Sequence, residues 1–158
     1  MDSPDFVKFV CDIKRYLSLP LCFIKFNEPF PVAMLDDIMI HFVHYKNQYE
    51  AEKKWNERKQ RIDWEHVFFI ANDHDGMTDS DYAKLDSCGF KNVLVLTASN
   101  KTEYKCTFQI HQFSQKTEIG NPMQKNFLTG QMLCEECFDF VGWFNQEKGY
   151  GLENYRLK

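Results

Sequence analysis

Apolar residues recur near the start of the chain at helical spacing. Phe6, Phe9, Val10, Ile13 and Leu17 fall on one stripe and predict a helix over Pro4–Leu17. Ser3 is placed to cap it, and Pro4 suits its first turn. Ser18–Pro20 ends that run, the dense apolar segment LCFIKF predicts a short strand, and NEPFP predicts a turn. VAMLDDIMIHFVHY is more ambiguous. Alternation of Ile38, Ile40 and Phe42 against Asp37, Met39, His41 and Val43 favours a strand over Ile38–Val43, entered through an acidic corner at Asp36–Asp37. In that case Asp37 and His41 share a face but stand about 13 Å apart, too far to share a metal ion. A helix would instead make them neighbours one turn apart.

Polar periodicity takes over in QYEAEKKWNERKQR, which predicts a helix over Asn47–Arg61 with Asn47 as its cap and Glu50 at the capping-box position. Glu50–Lys54 and Glu57–Arg61 have the spacing of supporting ion pairs, so most of its charges read as a solvated face. HVFFIA and VLVLTA read as buried strands. Between them a polar loop leads into a helix capped by Thr78 with Asp81 three residues on. TFQIHQF alternates and predicts a strand with antiparallel or mixed pairing. A loop from Ser114 to Gly130, a closing helix over Glu135–Asn145 and a loose tail over residues 146–158 complete the chain. The order of elements predicts an α/β fold, a single three-layer domain over residues 1–158 with a mixed, mostly parallel sheet flanked by helices.

Composition narrows the classes. The 158 residues are 44% hydrophobic and 27% charged, as in a folded globular domain, and the net charge of −4 without a basic run argues against nucleic acid as a partner. No apolar run approaches the ~20 residues of a membrane span, and the N-terminus lacks the charge pattern of a secretory signal. A cytoplasmic protein is expected, and its six scattered cysteines read as reduced thiols. The 15 Phe, 7 Tyr and 3 Trp imply a core of flat side chains, with a sugar- or base-stacking surface as the alternative.

Chemistry concentrates in the stretch from Pro31 to Arg61. Asp36, Asp37, His41 and His44 are the candidate catalytic residues, and Tyr45, Trp55, Arg58 and Arg61 the candidate ligand-binding ones. Carboxylates and imidazoles supply acid–base chemistry, while paired arginines grip phosphate or carboxylate in bidentate fashion. A second cluster, Asp73, His74 and Asp75, stands where a strand gives way to a helix, a usual ligand position in open α/β sheets. The competing reading is a solvated turn whose carboxylates satisfy backbone donors. It lacks the ligand spacing of a calcium loop, and Cys134-x-x-Cys137 lacks a second pair to complete a zinc site, so no metal is assigned and the cofactor stays unknown.

The same stretch carries a resemblance. Pro31, Leu35, Asp36, Asp37, His41, Phe42, His44, Tyr45, Glu50, Ala51, Trp55, Arg58, Lys59, Arg61, Ile62, Asp63 and Trp64 follow the signature of the bacterial domain-of-unknown-function family 1919. KNVLVLT, KNFLTG and FDFVGWFN also fit, so the likeness covers most of the chain. It implies a place in exopolysaccharide or capsule biosynthesis and a carbohydrate or nucleotide-sugar ligand. The chain departs from the family at Ala33, where a glycine is usual, and in lacking an N-terminal strand with an Asn-Asn-Cys-Trp-Gly-Gly-like segment. Such a loss would remove a candidate nucleophile and leave a strand edge open to homo-oligomerisation. The leading functional expectation is a sugar-related transferase. A non-catalytic binding or scaffold module and a metal-dependent hydrolase built on Asp73, His74 and Asp75 with the His41 region are the alternatives.

Overall fold

The structure, a computed structural model, describes residues 1–145. The tail expected over residues 146–158 lies outside the described residues. Helices and strands are mixed along the chain, as in an α/β protein, and the chain forms two compact units, Met1–Val67 and Phe68–Lys158. Among the described residues the strands divide into two three-stranded sheets, one in each unit, where one mixed sheet was expected.

In the first unit, α1 (Ser3–Cys11) and α2 (Ile13–Ser18) replace the single expected helix. The break is at Asp12, whose backbone leaves helical angles (φ −136°, ψ 39°) while its carboxylate takes the Arg15 Nε–H at 2.6 Å. Short acidic side chains compete in this way with the helix ladder. The cap is Asp2, one residue earlier than expected, its Oδ1 accepting from the Asp5 N–H. Val7, Val10, Ile13 and Tyr16 are the buried residues of this pair.

Sheet A is antiparallel in the order β1 (Cys22–Ile24), β2 (Val32–Leu35), β3 (Ile38–His41). Leu35 pairs with Ile38, so Asp36 and Asp37 alone make the hairpin turn. Asp36 sits at φ 58°, left-handed backbone that aspartate tolerates better than most residues. The expected alternation holds, since Ile38, Ile40 and Phe42 are buried and Met39 and His41 are half-buried. The strand ends at His41, two residues short of Val43, which is exposed in the turn that follows. Helix α3 (Gln48–Lys59) begins as expected, with Asn47 Oδ1 accepting from the Glu50 N–H at 2.9 Å. Ala51 and Trp55 turn it toward the cluster of Tyr16, Leu35, Ile38, Ile40 and Phe42.

The second unit is a β-α-β arrangement with a third strand added. β4 (Phe69–Asn72), α4 (Asp79–Ser87), β5 (Val93–Thr97) and β6 (Thr107–Gln109) give a sheet in the order β4-β5-β6, parallel throughout. The antiparallel pairing expected near Thr107–Phe113 does not occur there. β6 is three residues long and the chain turns at once into a short 3-10 segment, His111–Phe113. β5, buried at every position, is the central strand. β4 is an edge strand, which leaves Ile70 42% exposed rather than buried. Thr78 and Asp81 cap α4 as expected, the carboxylate accepting from both the Thr78 N–H and its hydroxyl.

The expected closing helix is two short ones, α5 (Leu133–Cys137) and α6 (Phe140–Phe144). Phe138 is extended between them and fully buried, and Asp139 restarts the helix by accepting from the Gly142 N–H at 2.9 Å. Phe138 and Trp143 pack with Leu94, Leu96, Ile110 and Ile119 to form the core of this unit.

Candidate functional site

Hairpin geometry decides how the eight candidate residues are distributed. Asp36 and Asp37 occupy its tip, whereas His41 lies at the far end of β3, opposite Val32. The strand reading therefore holds, and the length of β3 keeps the acidic pair and the imidazole about 13 Å apart.

At the tip both carboxylates are engaged by the helices of the first unit. Asp36 Oδ2 accepts from Arg15 Nη1 at 2.7 Å. Asp37 Oδ1 accepts from the Tyr16 hydroxyl at 2.6 Å, and its Oδ2 lies 3.1 Å from Lys8 Nζ. The Tyr16 hydrogen bond, helped by Lys8, lowers the Asp37 pKa below the usual carboxylate value. Asp5 adds a third tie by accepting from the Met39 N–H at 2.8 Å. Lys8, Arg15 and Tyr16 are partners the sequence reading missed. Their basic and phenolic groups on the first helices were a signal, but nothing local links them to a hairpin more than twenty residues on.

The other end of β3 is aromatic. The His41 ring meets Phe26 edge-on at 6.2 Å between centroids and Phe30 at 6.1 Å. Phe26 and Phe30 were not candidates, because their segment reads only as strand end and turn. His44 follows in an exposed turn. Tyr45 packs edge-on against Phe42, and the Arg58 guanidinium lies over its ring at 5.8 Å. Trp55 joins Phe9 and Phe42, at 6.1 and 6.2 Å, so its ring belongs to the core, with its Nε1–H buried and without a hydrogen-bond partner. Arg61, just past α3, is exposed. The structure thus brings Tyr45 and Arg58 together and keeps Asp36 and Asp37 apart from His41.

In the second unit, Asp73 and its neighbours follow the end of β4. Asp73 is 5% exposed and accepts two backbone hydrogen bonds, Oδ2 from the Ala98 N–H at 2.7 Å and Oδ1 from the Ile119 N–H at 2.6 Å. It satisfies backbone donors, as the turn reading held, but as a buried tie rather than a solvated one. His74 Nδ1 faces Glu118 Oε2 at 3.9 Å, and Asp75 is exposed at φ 57°. Among the described residues no three His, Cys, Asp or Glu side chains gather as a metal-ligand set. Burial raises the thiol pKa of Cys134 and Cys137, and the Cys137 thiol bonds Gln112 Oε1 at 3.5 Å. No described helix is long and apolar enough to cross a membrane.

A relative from Haemophilus influenzae (strain ATCC 51907 / DSM 11121 / KW20 / Rd), described as an uncharacterized protein, is 32% identical over 145 residues. The match takes in 92% of this chain and 70% of the relative. The family model for a domain of unknown function, DUF1919, matches residues 1–145, which include the acidic hairpin, the His41 strand end and the whole described part of the parallel sheet, and the chain belongs to that family.

Proposed function

We propose that this protein serves bacterial exopolysaccharide or capsule synthesis as a sugar-related transferase, holding a sugar or its activated donor at the His41 end of β3. The observation that carries this reading is the setting of His41, a half-buried imidazole edged by Phe26 and Phe30 at the mouth of a strand. Aromatic rings offer a face for the apolar side of a sugar, and an imidazole beside it is the ordinary general base for a hydroxyl. Arg58 and Arg61 at the end of α3 supply cations for the phosphate of an activated donor. We assign the base to His41 rather than Asp37, because Tyr16 and Lys8 already occupy the Asp37 carboxylate. Asp36 and Asp37 then shape the site by holding the hairpin to the helices.

A thermal-shift screen against nucleotide sugars tests this. A ligand that binds only the folded state raises the melting temperature by mass action. A shift with one donor class, lost in His41→Ala and kept in Asp37→Asn, is the expected result. The reading fails if no nucleotide sugar shifts the protein or if His41→Ala keeps the full shift.

One observation favours a non-catalytic docking module instead. Phe127 is 98% and Leu128 88% exposed at the tip of a hairpin closed by the Lys125–Met132 bridge. Apolar side chains held this far into solvent are a feature of contact surfaces. If Phe127→Ser left growth-dependent capsule output unchanged while His41→Ala abolished it, the docking reading would be discarded.

A further inference from the structure

Sheet B has an open side. The Phe69 N–H bonds the Asn92 carbonyl at 2.8 Å and the Asp73 N–H bonds the Leu96 carbonyl at 3.1 Å, so the odd-numbered residues of this stretch turn their backbone groups to β5. Ile70 turns its N–H and carbonyl the other way, and among the described residues no strand pairs with β4 on that side. The side chains that border this edge are apolar. Phe68 and Ile70 stand two positions apart, on one face of the sheet. The Phe68 ring meets Trp143 at 4.9 Å and Phe144 at 5.0 Å, and Val141 precedes Phe144 by one turn of α6. Ile70, Val141 and Phe144 are all exposed, so an open backbone edge and an apolar border adjoin.

We infer that the β4 edge is an interface between two copies of this chain, which pair antiparallel about Ile70 and join their three-stranded parallel sheets into one continuous sheet. An outward N–H and carbonyl on one residue are matched by extended backbone, which offers the same two groups in return. Charge selects a second copy over a strand of another protein. Edge strands that stay single carry a lysine, a proline or a bulge that turns their own copies away. The run from Phe68 to Asn72 has no charged residue and no proline, and its register with β5 is unbroken from Phe69 to Asn72. The chain as a whole carries a net charge of −4, which sets copies against each other, yet this edge presents no carboxylate to its counterpart. With a two-fold axis at Ile70, the residue exchanges both backbone bonds with its own copy and the contact is isologous. That axis stands normal to the sheet, so the faces that carry α6 continue into one another and the Phe144 side chains of both copies lie on one side. A contact of this size is weak, with a dissociation constant on the order of 10 μM.

Sedimentation velocity of the full chain across a concentration series, from about 1 to about 200 μM, tests the assignment together with hydrogen exchange at the Ile70 amide. The expected result is a monomer–dimer equilibrium in which the Ile70 amide exchanges fast in dilute protein and slows as the dimer fills. Ile70→Lys sets two ammonium groups against each other at the axis and should weaken the dimer at least about tenfold. Ile70 is exposed, so the variant keeps its strand, and protection of the β5 amides checks this. Should the variant lose its fold, exchange at Ile70 in the unaltered chain still decides the matter. A dimer that survives Ile70→Lys, or that forms with no change at the Ile70 amide, is held elsewhere and overturns the inference. So does a monomer at every concentration. A fast Ile70 amide in that monomer leaves the edge to the strand of another protein, and a slow one assigns its cover to the chain's own residues.

Discussion

Tyr16 shows how one side chain turns a sequence motif into structure. Its ring is buried with Ile38 and Ile40, and its hydroxyl reaches the Asp37 carboxylate at 2.6 Å. Tyr16→Phe keeps the ring and deletes the bond, and the expected cost is about 1 kcal/mol, read from the midpoint of urea unfolding. The pH dependence has a definite sign. The folded pKa of Asp37 is lowered, so its contribution is present above the unfolded carboxylate value of roughly 4 and disappears as pH falls through the folded value. Tyr16→Phe should therefore make acid unfolding begin at higher pH, a change that circular dichroism follows directly. The acidic pair was legible in the sequence, but its partners were not, because Lys8, Arg15 and Tyr16 meet it only once the helices have docked on the hairpin.

At the scale of elements, local signals were read well where the element is set by its own residues. The Asn47 cap, the Thr78–Asp81 capping box and the inward alternation of Ile38 and Ile40 are all contained within a few positions. Replacing Asn47 by Ala should cost about 1 kcal/mol and reduce helical ellipticity, because the Glu50 N–H loses its acceptor. Readings failed where a distant partner decides. The last helix breaks because Phe138 extends into the core, whereas the break in the first is local, at Asp12, whose carboxylate takes the Arg15 Nε–H three residues on. The apolar run around Phe69 and Ile70 gave no sign of being an edge strand with an exposed residue, since sheet order is a property of strands that are far apart in the chain.

For the whole molecule, the mixture of helices and strands was enough to indicate the α/β class, but not the division of strands into an antiparallel and a parallel sheet. The hairpin turn at Asp36–Asp37 and the β4-α4-β5 crossover each impose their own pairing, and each satisfies the same pattern of elements. A single domain over residues 1–158 predicts one cooperative unfolding transition, in which Trp55 of the first unit and Trp143 of the second report the same midpoint. Single-tryptophan variants monitored by fluorescence test this, and two separated midpoints would divide the chain into two domains at Val67. Asp73 carries a different consequence, one of timing. Its bond to Ile119 closes a loop of 46 positions, a contact whose entropy must be met before it rewards the chain. A nascent chain that has emerged only as far as β6 has all three strands of its parallel sheet, but not this bond, which waits for Ile119.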